Sequence, residues 1–145
     1  MDMQIVEMTI VHYEEVMSLL KNTSGITIRD ADSKEATELY LKRNPGLSFI
    51  AIEKGNIVGC AMCGYDGRRG YLQHVAVLEE FRGKGIANEM VNRCLEKLEE
   101  YGIYKTHLDV LVTNELANEY WQKRGWKKRD DLNRYSFTKT GMENA

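Results

Sequence analysis

Apolar positions change their period several times along the chain, and each change predicts an element. Gln4–Met8 reads as a first strand, and from His12 to Lys21 the residues Tyr13, Val16, Met17 and Leu20 fall on one helical face. Asn22–Asp30 carries neither pattern and reads as a loop. Asp32, with Glu35 three residues on, predicts a helix N-cap. Leu39 and Leu41 carry that helix, which must stop by Arg43–Asn44 because Pro45 drives the residue before it out of the helical region. Ser48–Glu53 and Ile57–Tyr65 are apolar runs joined by Lys54-Gly55-Asn56, a hairpin signature. Asp66–Gly70 reads as a second turn and Tyr71–Val77 as a further strand. From Gly85 the period becomes 3.6: Ile86, Met90, Val91, Cys94, Leu95, Leu98 and Tyr101 make one stripe, ended by Gly102 as a C-cap. Thr106–Val112 predicts a strand, Glu115–Arg124 a helix stopped by Gly125, and Arg134–Thr138 a last short strand. The pattern is one mixed α/β sheet with helices on both faces, a single domain over residues 1–140 with a frayed tail at 141–145.

Composition narrows the class. A chain of 145 residues buries roughly two-thirds of its unfolded surface in one core. With 43% hydrophobic and 29% charged residues, wholesale disorder is excluded. A formal net charge of -2 gives no electrostatic reason to expect nucleic acid or an anionic membrane as partner. Met1–Met8 lacks the basic start and long apolar run of a signal peptide, and no window is apolar for the length of a bilayer crossing. A cytoplasmic enzyme or binding module is the expectation. Cys60, Cys63 and Cys94 are an odd count, expected as reduced thiols. Cys60 and Cys63 form a C-x-x-C, but within a strand-like run and without two further ligands, so they read as small buried hydrophobes. His12, His74 and His107 are scattered, and no metal site is expected.

The chemistry concentrates where strand Tyr71–Val77 runs into Leu78-Glu-Glu-Phe-Arg82-Gly-Lys-Gly-Ile-Ala87 and an amphipathic helix begins. The first turn of a helix presents unpaired N–H groups and the positive end of its dipole. Glycines let a phosphate approach the backbone, while Arg82 and Lys84 add charge, so a pyrophosphate is the natural guest. A Rossmann fingerprint needs a third glycine where Asn88 stands, and a Walker loop needs Ser or Thr after its lysine, where Gly85 stands. A solvated turn with helix-friendly glycines is the plain alternative.

Arg82-Gly83-Lys84-Gly85-Ile86-Ala87 resembles the pyrophosphate signature R/Q-x-x-G-x-G/A of the GNAT N-acetyltransferase superfamily. Downstream, Asn114, Ala117, Trp121, Gly125 and Trp126 are similar to that family's N-x-x-A-x-x-x-Y-x-x-x-G-F pattern, with Trp121 in place of the Tyr. The resemblance spans about the last two-thirds of the chain and implies a mixed, mostly antiparallel sheet with four helices and acetyl-CoA as co-substrate. It further implies that the backbone of Val75, Ala76 and Val77 pairs with the pantetheine arm at a bulge where neighbouring strands splay. Gly83 to Ala87 would hold the pyrophosphate, and Asn114 and Trp121 would complete the coenzyme-binding set. Oligomeric state is open, with a homodimer as the prior drawn from the resemblance and from general oligomer statistics.

Acetyl transfer to an amine needs a neutral amine, a polarised thioester carbonyl and a proton for the departing thiolate. Backbone N–H groups near Val75 and Val77 can serve the carbonyl, which makes direct attack sufficient without a cysteine nucleophile. His74, on the central strand, is the candidate general base, set against a structural histidine bonded within the sheet. Tyr120, adjacent to the Tyr position of the pattern, is the candidate general acid, set against simple packing, since one helical step rotates it by about 100°. Asp109, on the next strand, is a candidate to face the cleft or to pair with a base. Arg68 and Arg69 in the second turn are candidate anion contacts or merely solvated. The expected acceptor is a small-molecule or protein amine. The alternative is a CoA-binding regulatory module without turnover, motivated by Trp121.

Overall fold

The computed structural model describes residues 3–145. These form two compact units, the first running to Leu108 and the second from Asp109 to Ala145. The first holds a five-stranded sheet built from β1 (Met3–Glu7), β2 (Phe49–Glu53), β3 (Asn56–Tyr65), β4 (Gly70–Val77) and β5 (Thr106–Leu108). Strand order follows the chain, with antiparallel pairing throughout except for the parallel β4–β5 pair. Helices α1 (Tyr13–Lys21), α2 (Lys34–Arg43) and α3 (Ile86–Glu100) belong to this unit, and α4 (Glu115–Lys123) to the second. The mostly antiparallel sheet and four helices are those the family resemblance implies, and helices cover both sheet faces as the pattern predicts.

Two faces of the sheet are covered. On one, Val16, Met17, Leu19 and Leu20 of α1 bury against Ile50, Cys60, Met62 and Ala76, with Tyr40 and Leu41 of α2 packed on the same cluster. On the other, α3 lies so close that a Cβ at Gly70 would stand 2.6 Å from Leu98 Cδ1, and one at Gly59 would stand 3.1 Å from Met90 Cε. Arg93 of α3 donates to Ile5 O of β1 at 2.9 Å, tying the helix across the sheet. Cys60, Cys63 and Cys94 are all buried free thiols, as the strand reading of C-x-x-C expects.

Several boundaries differ from the pattern-based expectation, each for a local reason. His12 closes a 3-10 turn over Ile10–His12 instead of opening α1. Asp32 is not the N-cap of α2; Ser33 is, its Oγ accepting the Ala36 N–H at 3.1 Å, while Asp32 ends a 3-10 turn over Asp30–Asp32. The strand expected over Thr106–Val112 ends at Leu108, because β4 is its one pairing neighbour and that ladder runs out at Leu72–Leu108. Arg134–Thr138 forms no strand despite its alternation. Tyr135 and Phe137 are 90% and 94% exposed, and the second unit contains no strand with which to build a ladder. Among the described residues no helix is long and apolar enough to cross a membrane.

Candidate active site

The site begins with an interruption in β4. Its register with β3 pairs Met62 with His74 but Cys63 with Leu72, so Gln73 is the extra residue of a bulge. At the same point the parallel ladder to β5 ends, at Leu72–Leu108. Beyond the bulge, β4 is paired on its β3 side alone. The Leu78 N–H bonds Val58 O at 2.9 Å on that side. Backbone groups alternate along a strand, so those of Val75 and Val77 face the open edge.

The open edge leads into the glycine turn. A 3-10 turn over Glu79–Phe81 reverses the chain, and Arg82 reaches back so that its Nε donates to Val77 O at 2.9 Å. This bond ties the turn to the strand end and uses one of the five guanidinium donors. Lys84 lies with its ammonium 5.3 Å from the Phe81 ring centroid, a cation–π contact that holds it over the turn. Gly83 and Gly85 have φ of 76° and 81°, left-handed values that other residues adopt at a cost. A Cβ added at either would meet nothing within 4 Å, so the space above the turn is open. The first helical bond of α3 runs from Glu89 N–H to Gly85 O, which leaves the amides of Ile86, Ala87 and Asn88 without a partner among the described residues, at the positive end of a 15-residue helix.

His74 shares the sheet face of Ala76, toward α1. Its Nε2 lies 2.8 Å from Asp32 Oδ1, with side chains 16% and 12% exposed. Asp32 is itself fixed. Its Oδ2 accepts the Arg29 N–H at 2.9 Å, its backbone oxygen accepts the Tyr13 hydroxyl at 2.6 Å, and its N–H donates to Arg29 O at 2.9 Å. Burial, with the Asp32 carboxylate second, raises the Tyr13 hydroxyl above its ordinary value. Local spacing predicts only a capping role for Asp32 and does not pair it with His74, 42 residues away. Cys60 and Cys94 offer no nucleophile: burial pushes Cys60 up to about 12, and Cys94 is raised by its hydrogen bond with Cys63 and by burial. Among the described residues no group of three or more His, Cys, Asp or Glu could hold a metal ion.

The second unit carries the downstream residues. Asn114 Oδ1 accepts the Ala117 N–H at 3.1 Å and caps α4. Trp121 meets Trp126 edge-on at 5.1 Å, and Tyr120 meets Trp121 in the same manner. The Arg124 guanidinium lies 4.9 Å from the Tyr120 centroid. Gly125, at φ 90°, closes the helix with N–H bonds from Gly125 to Gln122 O and from Trp126 to Trp121 O. The Asn-to-Trp126 pattern is therefore one helix with both ends capped. Asp109 pairs with Arg134 and not with a histidine. Arg68 and Arg69 belong to the first unit, where their N–H groups both donate to Asp66 Oδ1 and hold its carboxyl below the ordinary value.

A model of the acetyltransferase (GNAT) family matches residues 13–126. The chain belongs to that family. An acetyltransferase of Pectobacterium atrosepticum is 36% identical over 99 residues, covering 68% of this GNAT chain and 70% of that one. The fold is shared with the PaiA N-acetyltransferase of Thermoplasma acidophilum, solved with coenzyme A, at TM-score 0.80 and 18% identity over 90% of this chain and 92% of that one. It is shared also with a ribosomal-protein-alanine N-acetyltransferase of Brucella melitensis, at TM-score 0.71 and 21% identity over 95% and 99% of the two chains.

Proposed function

We propose that this GNAT protein is an acetyl-CoA-dependent N-acetyltransferase that moves an acetyl group to a primary amine, on a small molecule or a protein, by direct attack. The observation that carries the reading is the continuity of one surface. The edge of β4 opened at Gln73 runs into the Arg82–Gly85 turn and the unpaired amides of α3. An extended amide-bearing arm ending in a pyrophosphate fits that surface, because the strand edge offers ladder partners and the turn offers an open, positively charged cradle. The family match runs through both units, which supports treating residues 1–140 as one functional domain.

Bound acetyl-CoA supplies an activated acetyl thioester. In this reading the amides of Ile86, Ala87 and Asn88, with Arg82 and Lys84, hold the pyrophosphate. The backbone of Val75 to Val77 holds the arm, and its N–H groups polarise the carbonyl. His74 takes a proton from the attacking amine, and Tyr120 supplies one to the departing thiolate. The buried Cys60 thiol, pushed up to about 12, supports direct attack over an acetyl-cysteine route. Trp121, which lacks a hydroxyl, favours a second reading, a CoA-binding module without turnover.

Calorimetric titration with CoA and a thiol-release assay over an amine panel test the readings together. Arg82→Ala combined with Gly85→Glu abolishes CoA binding, whereas His74→Gln and Tyr120→Phe keep the affinity and slow turnover by at least ~10-fold. Retained CoA affinity in the Arg82/Gly85 variant would sink both readings. CoA binding with no turnover on any amine leaves the non-catalytic module.

A further inference from the structure

A base must present a lone pair, and an imidazole has two nitrogens with different roles. His74 Nε2 lies 2.8 Å from Asp32 Oδ1. An ionised carboxylate can only accept, so Nε2 carries the hydrogen and the neutral ring keeps its lone pair on Nδ1. Among the described residues nothing bonds Nδ1. The carboxylate cannot swing away to release the ring. Its second oxygen is held by the Arg29 N–H, its backbone by Arg29 O and by the Tyr13 hydroxyl, and the side chain is nearly buried. The 3-10 turn over Asp30–Asp32 thus acts on β4 through one oxygen.

We infer that Asp32 is a positioning residue that fixes His74 in its Nε2–H tautomer, so that Nδ1 is the atom that takes the acceptor's proton. The inference rests on the acetyltransferase reading and adds the residue that makes His74 a directed base. As the N–C bond forms and the C–S bond breaks, one proton leaves the amine nitrogen for Nδ1 and one reaches the leaving thiolate. Loss of the Nδ1 proton to solvent restores the ring, and the overall exchange needs no further reactant. During the step the imidazolium donates from Nε2 to a carboxylate already in place, so its charge is met without rearrangement.

The test uses histidine labelled with ¹⁵N in the whole protein, with long-range ¹H–¹⁵N correlations recorded without substrate and His74→Gln used to assign the signal. The expected pattern is Nε2–H in the wild type and a shift toward Nδ1–H in Asp32→Asn, whose amide can donate to Nε2. Turnover in Asp32→Asn falls by at least about tenfold with the KM for acetyl-CoA unchanged, and Asp32→Glu recovers part of it. A thermal melt of each variant establishes that it is folded. An Nδ1–H pattern in the wild type overturns the inference, as does unchanged turnover in a folded Asp32→Asn. Full turnover in His74→Gln overturns the base assignment beneath it. The wild-type nitrogen pattern, read without substrate, separates that failure from an error in the tautomer.

Discussion

Cys60 lies on the sheet face that α1 covers, fully buried, and its thiol is pushed from 9.0 up to about 12 by burial, with the Ala76 backbone opposing. The sign of the consequence follows from proton counts. Below pH 9 the thiol is protonated in both folded and unfolded chains and pH has no leverage through it. Between about 9 and 12 the unfolded chain loses that proton while the folded chain keeps it, so stability falls as pH rises. The Cys94 thiol and the Tyr40 hydroxyl, raised too, act in the same direction. Urea denaturation between pH 8 and 11 should show a declining midpoint, with a shallower decline in Cys60→Ala, and a thiol reagent should leave the native protein unmodified at pH 8. A flat midpoint, or rapid labelling of the native protein, would contradict this account. The same face holds His74, and its orientation was not legible from alternation. Gly70 faces α3 and Ala76 faces α1 although six residues separate them, because the bulge at Gln73 absorbs one step. Alternation counted from Gly70 to Ala76 without the bulge places them together.

Elements whose ends are set locally were readable. The stop of α3 at Gly102 and of α4 at Gly125 each depend on a few consecutive residues, and both helices close with the same pair of N–H bonds. The Arg82–Gly85 turn is likewise local, since its two left-handed glycines and the helix start follow one another in the chain. What depends on a distant partner was not readable: Asp32 meets His74 from another element, and Arg134–Thr138 has the alternation of a strand in a unit that contains no strand. Helix α4 offers a test of the local reading. Asn114→Ala removes the bond to the Ala117 N–H and should destabilise the helix by about 1 kcal/mol. Asn114→Ser or Asn114→Asp should restore most of that loss. Helical circular dichroism followed through urea unfolding measures it, and an unchanged transition in the alanine variant would show that the cap contributes nothing.

Across the whole molecule, the cover on the sheet's faces contrasts with the gap along one strand edge. The α1 and α3 faces are close-packed, while β4 past Leu72 gives up a neighbour on one side. In the proposed function that gap is where the coenzyme arm pairs, so the protein leaves its own ladder incomplete for the sake of a ligand. The bulge has a genetic corollary. Gln73 is one codon, and its removal leaves Leu72 opposite Cys63 and His74 opposite Met62 in an unbroken ladder. A lineage that lost this codon would retain a sound sheet, and β4, no longer bent, could keep pairing with β5 past Leu108. Deletion of Gln73 should therefore give a folded protein with a melting temperature no lower than the wild type and no measurable CoA binding; a variant that still binds CoA would show that the gap does not depend on the bulge. Natural selection for activity, and not for stability, would then be what keeps this residue in the reading frame.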